Sequence, residues 1–243
     1  MEANRFKDQT IVGIVTCNRE EFFHKAVESI DRNQVKKIFA VIAGDDYKSY
    51  PEDVEIIKCR RNPTVVGIAK NLLWKRMYDS GEEFLFTMED DVKIINNEVF
   101  SKYIETAMDS GIWGQLSYGM HGTIAGGNVT SDGTPLKRAT LNYTKHEVDI
   151  YYNSFAAFGM IHRNIIKHLG YHDERYLNAV EHLDYYQRVH KKSLGFPFYA
   201  FPDIKDSFLY IEDQDANHSS SVIRKEKEFL KNGDFQFIKP SDI

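Results

Sequence analysis

Cysteine is nearly absent from this chain, with only Cys17 and Cys59 in 243 residues. Each lies in or beside an apolar stretch, which fits reduced core thiols better than a disulfide framework, and the count excludes a metal site built on cysteine alone. Long apolar runs are missing as well. No window approaches the roughly 20 residues of a membrane-spanning helix, and the opening residues MEANRFK have no apolar signal core, so a soluble, cytoplasmic protein without a membrane span is expected. Neither sign of charge dominates. The formal net charge of -5 offers no long-range attraction to nucleic acid or an anionic membrane, so nucleic acid is not favoured as a partner. No linker rich in proline or glycine cuts the chain and no internal repeat is seen, so a single domain over 1–243 is expected. What the chain does have is 42% hydrophobic and 13% aromatic residues, enough to bury a substantial core.

The periodicity of the apolar residues sets out the elements. Thr10–Thr16 (TIVGIVT) is a short β-branched run that reads as a buried strand, and Arg19–Arg32 carries Phe22, Phe23, Ala26, Val27 and Ile30 at helical spacing. Ile38–Ala43 and Val54–Lys58 read as two further strands, Val65–Tyr78 as a helix and Glu83–Met88 as a fourth strand. Such alternation predicts an α/β fold with a Rossmann-like, mostly parallel central sheet flanked by helices, whose ligands bind outside the carboxyl ends of the strands. The second half is less regular. It offers a helix over Glu98–Asp109, a strand over Ile112–Tyr118, a polar, glycine-bearing stretch over Met120–Asn142 that suits either a lid or a hairpin, and a strand-like segment over Val148–Phe158. Helices over Arg163–Leu169 and Ala179–Lys192 follow, then an apolar Phe196–Phe201 and a polar tail holding Glu212, Asp213, Asp215 and His218.

The fourth strand ends in three consecutive carboxylates, Glu89, Asp90 and Asp91. Three anions at a strand end repel one another unless a cation or ligand donors neutralise them, and a hard divalent metal carrying a diphosphate would do so. A solvated loop is the plain alternative for an isolated triplet. Thr16-Cys17-Asn18 and Gly44-Asp45-Asp46 lie at the ends of the first and second strands, on the same edge of the expected sheet.

Five segments in order carry a family resemblance: IVGIVTCNRE (Ile11–Glu20), AGDD (Ala43–Asp46), NPTVVGIAKN (Asn62–Asn71) leading into FLFTMEDDV, AAFGMIHRNIIKHLGYHDERY (Ala156–Tyr176) and EHLDYYQRV (Glu181–Val189). Together they resemble the inverting nucleotide-sugar glycosyltransferases of family two, which share the GT-A fold, from about Thr10 to His218. The resemblance implies a nucleotide-sugar-binding half over about 1–118, an acceptor-binding half over about 119–218 and a C-terminal tail over 219–243. It implies transfer of a sugar from a nucleoside diphosphate sugar, with UDP the expected nucleotide, to the hydroxyl of an acceptor that the sequence does not identify, glycan, lipid-linked or other. A bound Mn²⁺ or Mg²⁺ would stabilise the leaving diphosphate as a Lewis acid.

Residue roles follow from matching positions. The last acid of the family's motif binds the metal, which makes Asp91 the first ligand and Asp90 the second candidate, with Glu89 near the ribose. Relatives with this fold often place a late histidine on the metal, here His218, whose plain alternative is a solvent-exposed tail residue. Thr16 and Asn18 can hydrogen-bond the base or ribose, Asp45 or Asp46 can accept from a uracil N–H or ribose hydroxyl, and Lys70 can meet the diphosphate. Plainer roles stand beside these: a helix N-cap for Asn18, turn formation for Asp45 and Asp46, an exposed helix cation for Lys70. The family's base is the Asp of a Glu-Asp pair, but this chain has Glu181-His182-Leu183-Asp184, so the aligned position holds His182. Glu181, His182 and Asp184 all remain candidates for the base, while Asp184 and Arg188 at i, i+4 also suit a helix ion pair. The departure keeps open a non-catalytic, carbohydrate-binding descendant. A nucleotidyltransferase is disfavoured because no Gly-rich basic loop follows the first strand, and a glycoside hydrolase would need no diphosphate site.

Overall fold

In the structure, a computed structural model, residues 4–44, 47–59, 66–114, 116–121, 128, 130, 134–153, 156–174, 181–196 and 200–215 are described. The first strand, β1 (Thr10–Cys17), is buried along most of its length and leads into the helix α1 (Glu20–Glu28). Next come β2 (Lys37–Ala43), β3 (Val54–Cys59), the helix α2 (Val66–Ser80) and β4 (Phe84–Glu89). The chain continues through β5 (Val92–Ile94), α3 (Val99–Ser110), β6 (Leu116–Ser117), β7 (Lys137–Asn142), β8 (Glu147–Tyr151) and β9 (Phe158–His162). The helices α4 (Arg163–Leu169) and α5 (Glu181–Lys191) precede β10 (Phe201–Ile204) and β11 (Ile211–Asp213).

Six strands form the central sheet in the order β3-β2-β1-β4-β9-β6. The pairs β3–β2, β2–β1 and β1–β4 are parallel, whereas β9 runs antiparallel to both β4 and β6. The parallel strands need crossovers, and the continuous apolar character of β1, β2 and β4 reflects burial on both faces. Alternation along each strand sorts its side chains into two cores. Ile11, Phe39, Val41 and Leu85 meet Leu73 and Met77 of α2 on one face, together with Ile165, Ile166, Tyr185 and Val189 from α4 and α5. Val12, Ile14, Ile38, Ala40 and Phe86 meet Phe23 and Val27 of α1 on the other, with Phe100, Tyr103 and Ile104 of α3. Each fully buried large apolar side chain contributes on the order of 1.5–3 kcal/mol.

Several boundaries differ from the sequence expectation, each with a local cause. The helix expected to reach Arg32 stops at Glu28, because Ser29 Oγ donates to Ala26 O (2.7 Å) and Arg32 folds back onto the Val27 carbonyl (2.7 Å). The single strand-like segment Val148–Phe158 divides between sheets, β8 joining β10 and β7 in a separate antiparallel sheet and β9 joining the central one. The end of the polar stretch 120–142 is the β7 arm of a hairpin with β8. Among the described residues of the strand expected over Ile112–Tyr118, only Leu116 and Ser117 form a ladder. A further two-stranded sheet, β5 with β11, was not expected at all, and it carries the chain's late acidic segment back to the triplet. Among the described residues no helix is long and apolar enough to cross a membrane, and Cys17 and Cys59 are not joined in a disulfide.

Helix and sheet approach closely at Gly13, in the middle of β1. A β-carbon there would lie 2.5 Å from Met77 Sδ and 2.6 Å from Leu73 Cδ2, so α2 packs directly on a strand with no side chain at that point. Gly13→Val is expected to destabilise the fold by about 1–3 kcal/mol through overpacking, read as a lower urea midpoint. An unchanged midpoint would contradict this account of the α2 contact.

Candidate functional site

The parallel register between β1 and β4 builds the site. Val15 pairs with Glu89, so the residues that leave the two strands, Thr16 to Arg19 and Asp90 to Asp91, emerge side by side at the carboxyl edge. This edge lies where β2 and β3 extend to one side of β1 and β4 to the other, the point at which open α/β sheets form a crevice.

Asp90 is fully buried and both of its oxygens are held. Thr16 Oγ1 donates to Oδ2 (2.6 Å), Arg19 Nε donates to the same oxygen (3.1 Å), and Arg19 Nη2 donates to Oδ1. Because the single Thr16 proton goes to Asp90, the Tyr47 hydroxyl 2.5 Å away is the donor to Thr16, and Tyr47 in turn accepts from the Arg19 backbone N–H (3.2 Å). Burial pushes the Asp90 carboxyl up, to about 7, with the Asp91 charge adding to it, while the Arg19 guanidinium and Thr16 hydroxyl oppose the rise. The same guanidinium reaches Asp91 Oδ2 (3.4 Å) and Asp215 Oδ2 (3.9 Å), and it lies over the Phe22 ring.

Asp91 is held differently. Its carbonyl accepts from Gln214 N (2.6 Å), and the Gln214 side-chain amide donates to the Asp90 and Val92 carbonyls (3.0 and 3.1 Å), so the backbone is fixed from both sides. Its Oδ2 faces Arg19 and, at 3.8 Å, His121 Nε2, but its Oδ1 is buried without a hydrogen-bond partner among the described residues. A buried carboxylate oxygen lacking a donor is costly unless a cation meets it. Arg19 faces three carboxylates, so the cluster carries more negative than positive charge, and Asp91 fits a hard divalent ion whose other positions are filled by ligand oxygens and water. No three His, Cys, Asp or Glu side chains among the described residues converge to hold such an ion unaided.

A second buried cluster joins α2, β4 and α5. Lys70 Nζ lies 2.8 Å from Glu89 Oε1 and 3.0 Å from Glu181 Oε1. Burial works against the ammonium, yet the two carboxylates raise it above the ordinary lysine value. Burial would raise Glu181, but Lys70 and His182 override it and hold the carboxyl well below the usual range. Its Oε2 is buried without a hydrogen-bond partner among the described residues, and His182 Nδ1 stands 3.5 Å from Oε1. The start of α5 is positioned by His172, which exchanges two hydrogen bonds with the Asn71 side chain (2.8 and 2.9 Å) and packs its ring on Trp74 and Tyr185. Burial and the nearby Lys70 charge push His172 down to about 3, so the ring is neutral.

The sequence-derived candidates therefore separate by environment. Glu89, Asp90, Asp91, Thr16, Lys70, Glu181 and His182 fall in these two clusters. Thr16 gives its hydroxyl to Asp90, and Lys70 is engaged by two carboxylates instead of standing as an exposed cation. Asp184 turns elsewhere: it binds Arg188 Nε (2.8 Å), and Arg188 donates to the Leu169 and Tyr171 carbonyls at the end of α4. Asn18 is exposed, with a left-handed backbone (φ 50°), and its side chain occupies the space a β-carbon on Gly44 would take; the N-cap of α1 is Arg19. Asp45, Asp46 and His218 lie outside the described residues. Tyr118 and Phe158 are core residues, and Trp113 packs on Phe84 and His162.

Arg19, Tyr47, His121, Asp213, Gln214 and Asp215 received no role from the sequence. The late acidic cluster and the Asn-Arg after β1 were visible, but neither points by itself to a partner dozens of residues away. Arg19→Met should remove the countercharge of Asp90 and make the ionised carboxyl about 3–5 kcal/mol more costly in the folded protein. The folded-state carboxyl lies above its unfolded value, so the stability it contributes is present at low pH and lost as pH rises. Loss of Arg19 heightens that rise, and the deficit against wild type, measured by urea unfolding, should shrink at acid pH and grow above neutrality. A pH-independent deficit would remove Asp90 as its cause.

No protein-family model matches the chain, and no curated protein matches it in sequence. Solved structures match in fold. Residues 1–349 of TarS from S. aureus superpose with a TM-score of 0.55 at 15% identity, covering 93% of this chain and 66% of that one. A second TarS structure gives 0.51 at 16% identity over 73% of this chain and 33% of the other. GalNAc-T7, in a crystal structure with UDP, GalNAc and Mn²⁺, gives 0.59 at 13% identity over 83% and 43%. The chain thus spans from a third to just under two thirds of the length of these proteins. At such identities the likeness is one of architecture: the α/β fold, with its mostly parallel central sheet flanked by helices, is that of the GT-A glycosyltransferases.

Proposed function

We propose that this protein is a metal-dependent, inverting glycosyltransferase of the family-two kind, which moves a sugar from a nucleoside diphosphate sugar, with UDP as nucleotide, to an acceptor hydroxyl. The observation that carries the reading is Asp91: a carboxylate at the crevice edge of a GT-A sheet, fixed through its backbone, with one buried oxygen lacking a donor among the described residues. That a fold neighbour, GalNAc-T7, was solved with UDP and Mn²⁺ supports the choice of ligand class.

In this reading Asp91 holds a Mn²⁺ or Mg²⁺ ion, and His218 stays a candidate for the same ion. Asp90, saturated by Thr16 and Arg19, positions Asp91 instead of sharing the metal. The ion, when bound, would stabilise charge on the departing diphosphate. Glu89 keeps a quarter of its side chain exposed and is assigned to the ribose, with Asn18 and Asp45 or Asp46 toward the base. Lys70 acts on the carboxylates, holding Glu181 ionised. Glu181 takes the proton of the attacking hydroxyl as that oxygen bonds to the anomeric carbon and the bond to the diphosphate breaks. His182 beside it is the alternative base, and Asp184, engaged by Arg188, is a positioning residue. The donor side is assigned to residues up to about 118 and the acceptor side to those beyond.

His182 at the family's base position favours a second reading, a non-catalytic binder of nucleotide sugars. A mass-spectrometric panel of nucleotide sugars with Mn²⁺ separates the two. Release of the nucleoside diphosphate is expected for the enzyme; binding without release across donors and acceptors supports the binder. Asp91→Ala should abolish metal-dependent donor binding, whereas Glu181→Ala should retain donor binding and lose about 10²–10⁴-fold in turnover. If both variants turn over like wild type, the scheme fails.

A further inference from the structure

His121 is the buried group nearest the Asp91 carboxylate that the scheme above leaves without a role. Its ring is 4% exposed at the side chain, with Nδ1 2.8 Å from Asp213 Oδ1 and Nε2 3.8 Å from Asp91 Oδ2. The arrangement depends on the unexpected sheet of β5 and β11. Asp213 pairs with Val92 in that ladder, directly after the triplet, and Gln214 is tied to the backbone of Asp90, Asp91 and Val92.

We propose that His121, oriented by Asp213, is a second protein ligand to the divalent ion held by Asp91, a proposal that rests on the metal-site reading above. A carboxylate accepting the Nδ1–H fixes the tautomer in which Nε2 presents its lone pair, which is how metal-binding imidazoles are commonly oriented. Spacing agrees. Ligand bonds of about 2.1 Å place two donors on one ion roughly 3–4 Å apart, and Nε2 to Oδ2 falls within that range. The Asp91 carboxylate itself is incompletely satisfied, since its buried Oδ1 has no hydrogen-bond partner among the described residues. An imidazole nitrogen beside carboxylate oxygen selects Mn²⁺ over Mg²⁺, so the pair sets metal preference as well as affinity.

The competing account makes His121 a cation that neutralises Asp91 and Asp213. The two accounts predict opposite signs, because deleting a ligand weakens Mn²⁺ binding whereas deleting a cation beside the site strengthens it. Mn²⁺ titrated into the full chain and followed by EPR should show at least about a tenfold loss of affinity in His121→Ala, and a loss of about 10–100-fold in Asp213→Asn. Pulsed EPR should show imidazole-nitrogen modulation on bound Mn²⁺ in wild type, Asp213→Asn and His218→Ala, and its loss when His121→Ala is added to His218→Ala. Unchanged or tighter binding by folded His121→Ala overturns the proposal, as does nitrogen modulation that is absent from His218→Ala or persists in the double variant. Absence of nitrogen modulation in wild type overturns it without recourse to any variant. Asp91→Ala separates the levels: if it keeps Mn²⁺ affinity, the metal-site reading itself fails, whereas its loss with an unaffected His121→Ala removes only the role of His121.

Discussion

Consecutive carboxylates at the end of a buried strand repel each other and resist desolvation, and the chain meets that constraint with one guanidinium. Arg19 leaves β1 beside the point where Asp90 leaves β4, and its planar fork engages both Asp90 oxygens while an edge reaches Asp91. A lysine could not reproduce this, since a point charge does not match a carboxylate bidentately. Everything around the pair depends on it: Thr16 turns to the same carboxylate, Tyr47 turns to Thr16, and the Arg19 backbone turns to Tyr47. The network closes on itself, so the loop after β1 and the triplet after β4 are held as one unit. Asp91 remains, fixed in place and incompletely satisfied, which is the electrostatic condition for an ion to bind there.

The fold supports this condition through two features that act at different ranges. The parallel pairing of β1 with β4 sets which residues are neighbours at the sheet edge, and a shift of one residue would turn Asp90 away from Thr16. The antiparallel pairing of β5 with β11 adds the far end of the described chain, carrying Asp213, Gln214 and Asp215 to the triplet. Such short ladders have little stability of their own, and this one is held by Gln214 hydrogen bonds and by the burial of Val92, Ile94 and Ile211.

What could be read from the sequence follows from the range of the interaction involved. The strands β1, β2 and β4 and the helix α2 were legible because continuous apolar runs and helical spacing are local signals. The triplet was legible as a strand end for the same reason, and the Asp184–Arg188 ion pair was open to view in its i, i+4 spacing. The role of Arg19 was not, because its partner is 71 positions away, and His121 and Asp213 are 92 apart. β5 and β11, with three residues each, are too short to display a period. Lys70 shows a different limit. Its type suggested an anion-binding cation, but tertiary structure placed it between Glu89 and Glu181, and no property of the lysine itself reveals that its charge is already matched.

The three acid–base candidates on α5 differ less in chemistry than in what each one touches. Asp184 is engaged by a guanidinium that also caps the end of α4, so withdrawing it would loosen the helix junction. Glu181 faces inward to a lysine shared with the acidic strand end, and one of its oxygens is buried without a donor among the described residues. A carboxylate in that state is ionised across the neutral range and keeps a lone pair uncommitted, while Lys70 links its charge to that of Glu89. Such a group is a weak base at rest, and its proton affinity matters only when the attacking hydroxyl becomes acidic as its oxygen forms a bond. His182 lies at the edge of the same pair. Glu181 combines an inward position, a fixed ionised state and an oxygen without a hydrogen-bond partner among the described residues, whereas the family's spacing by itself would have chosen its neighbour.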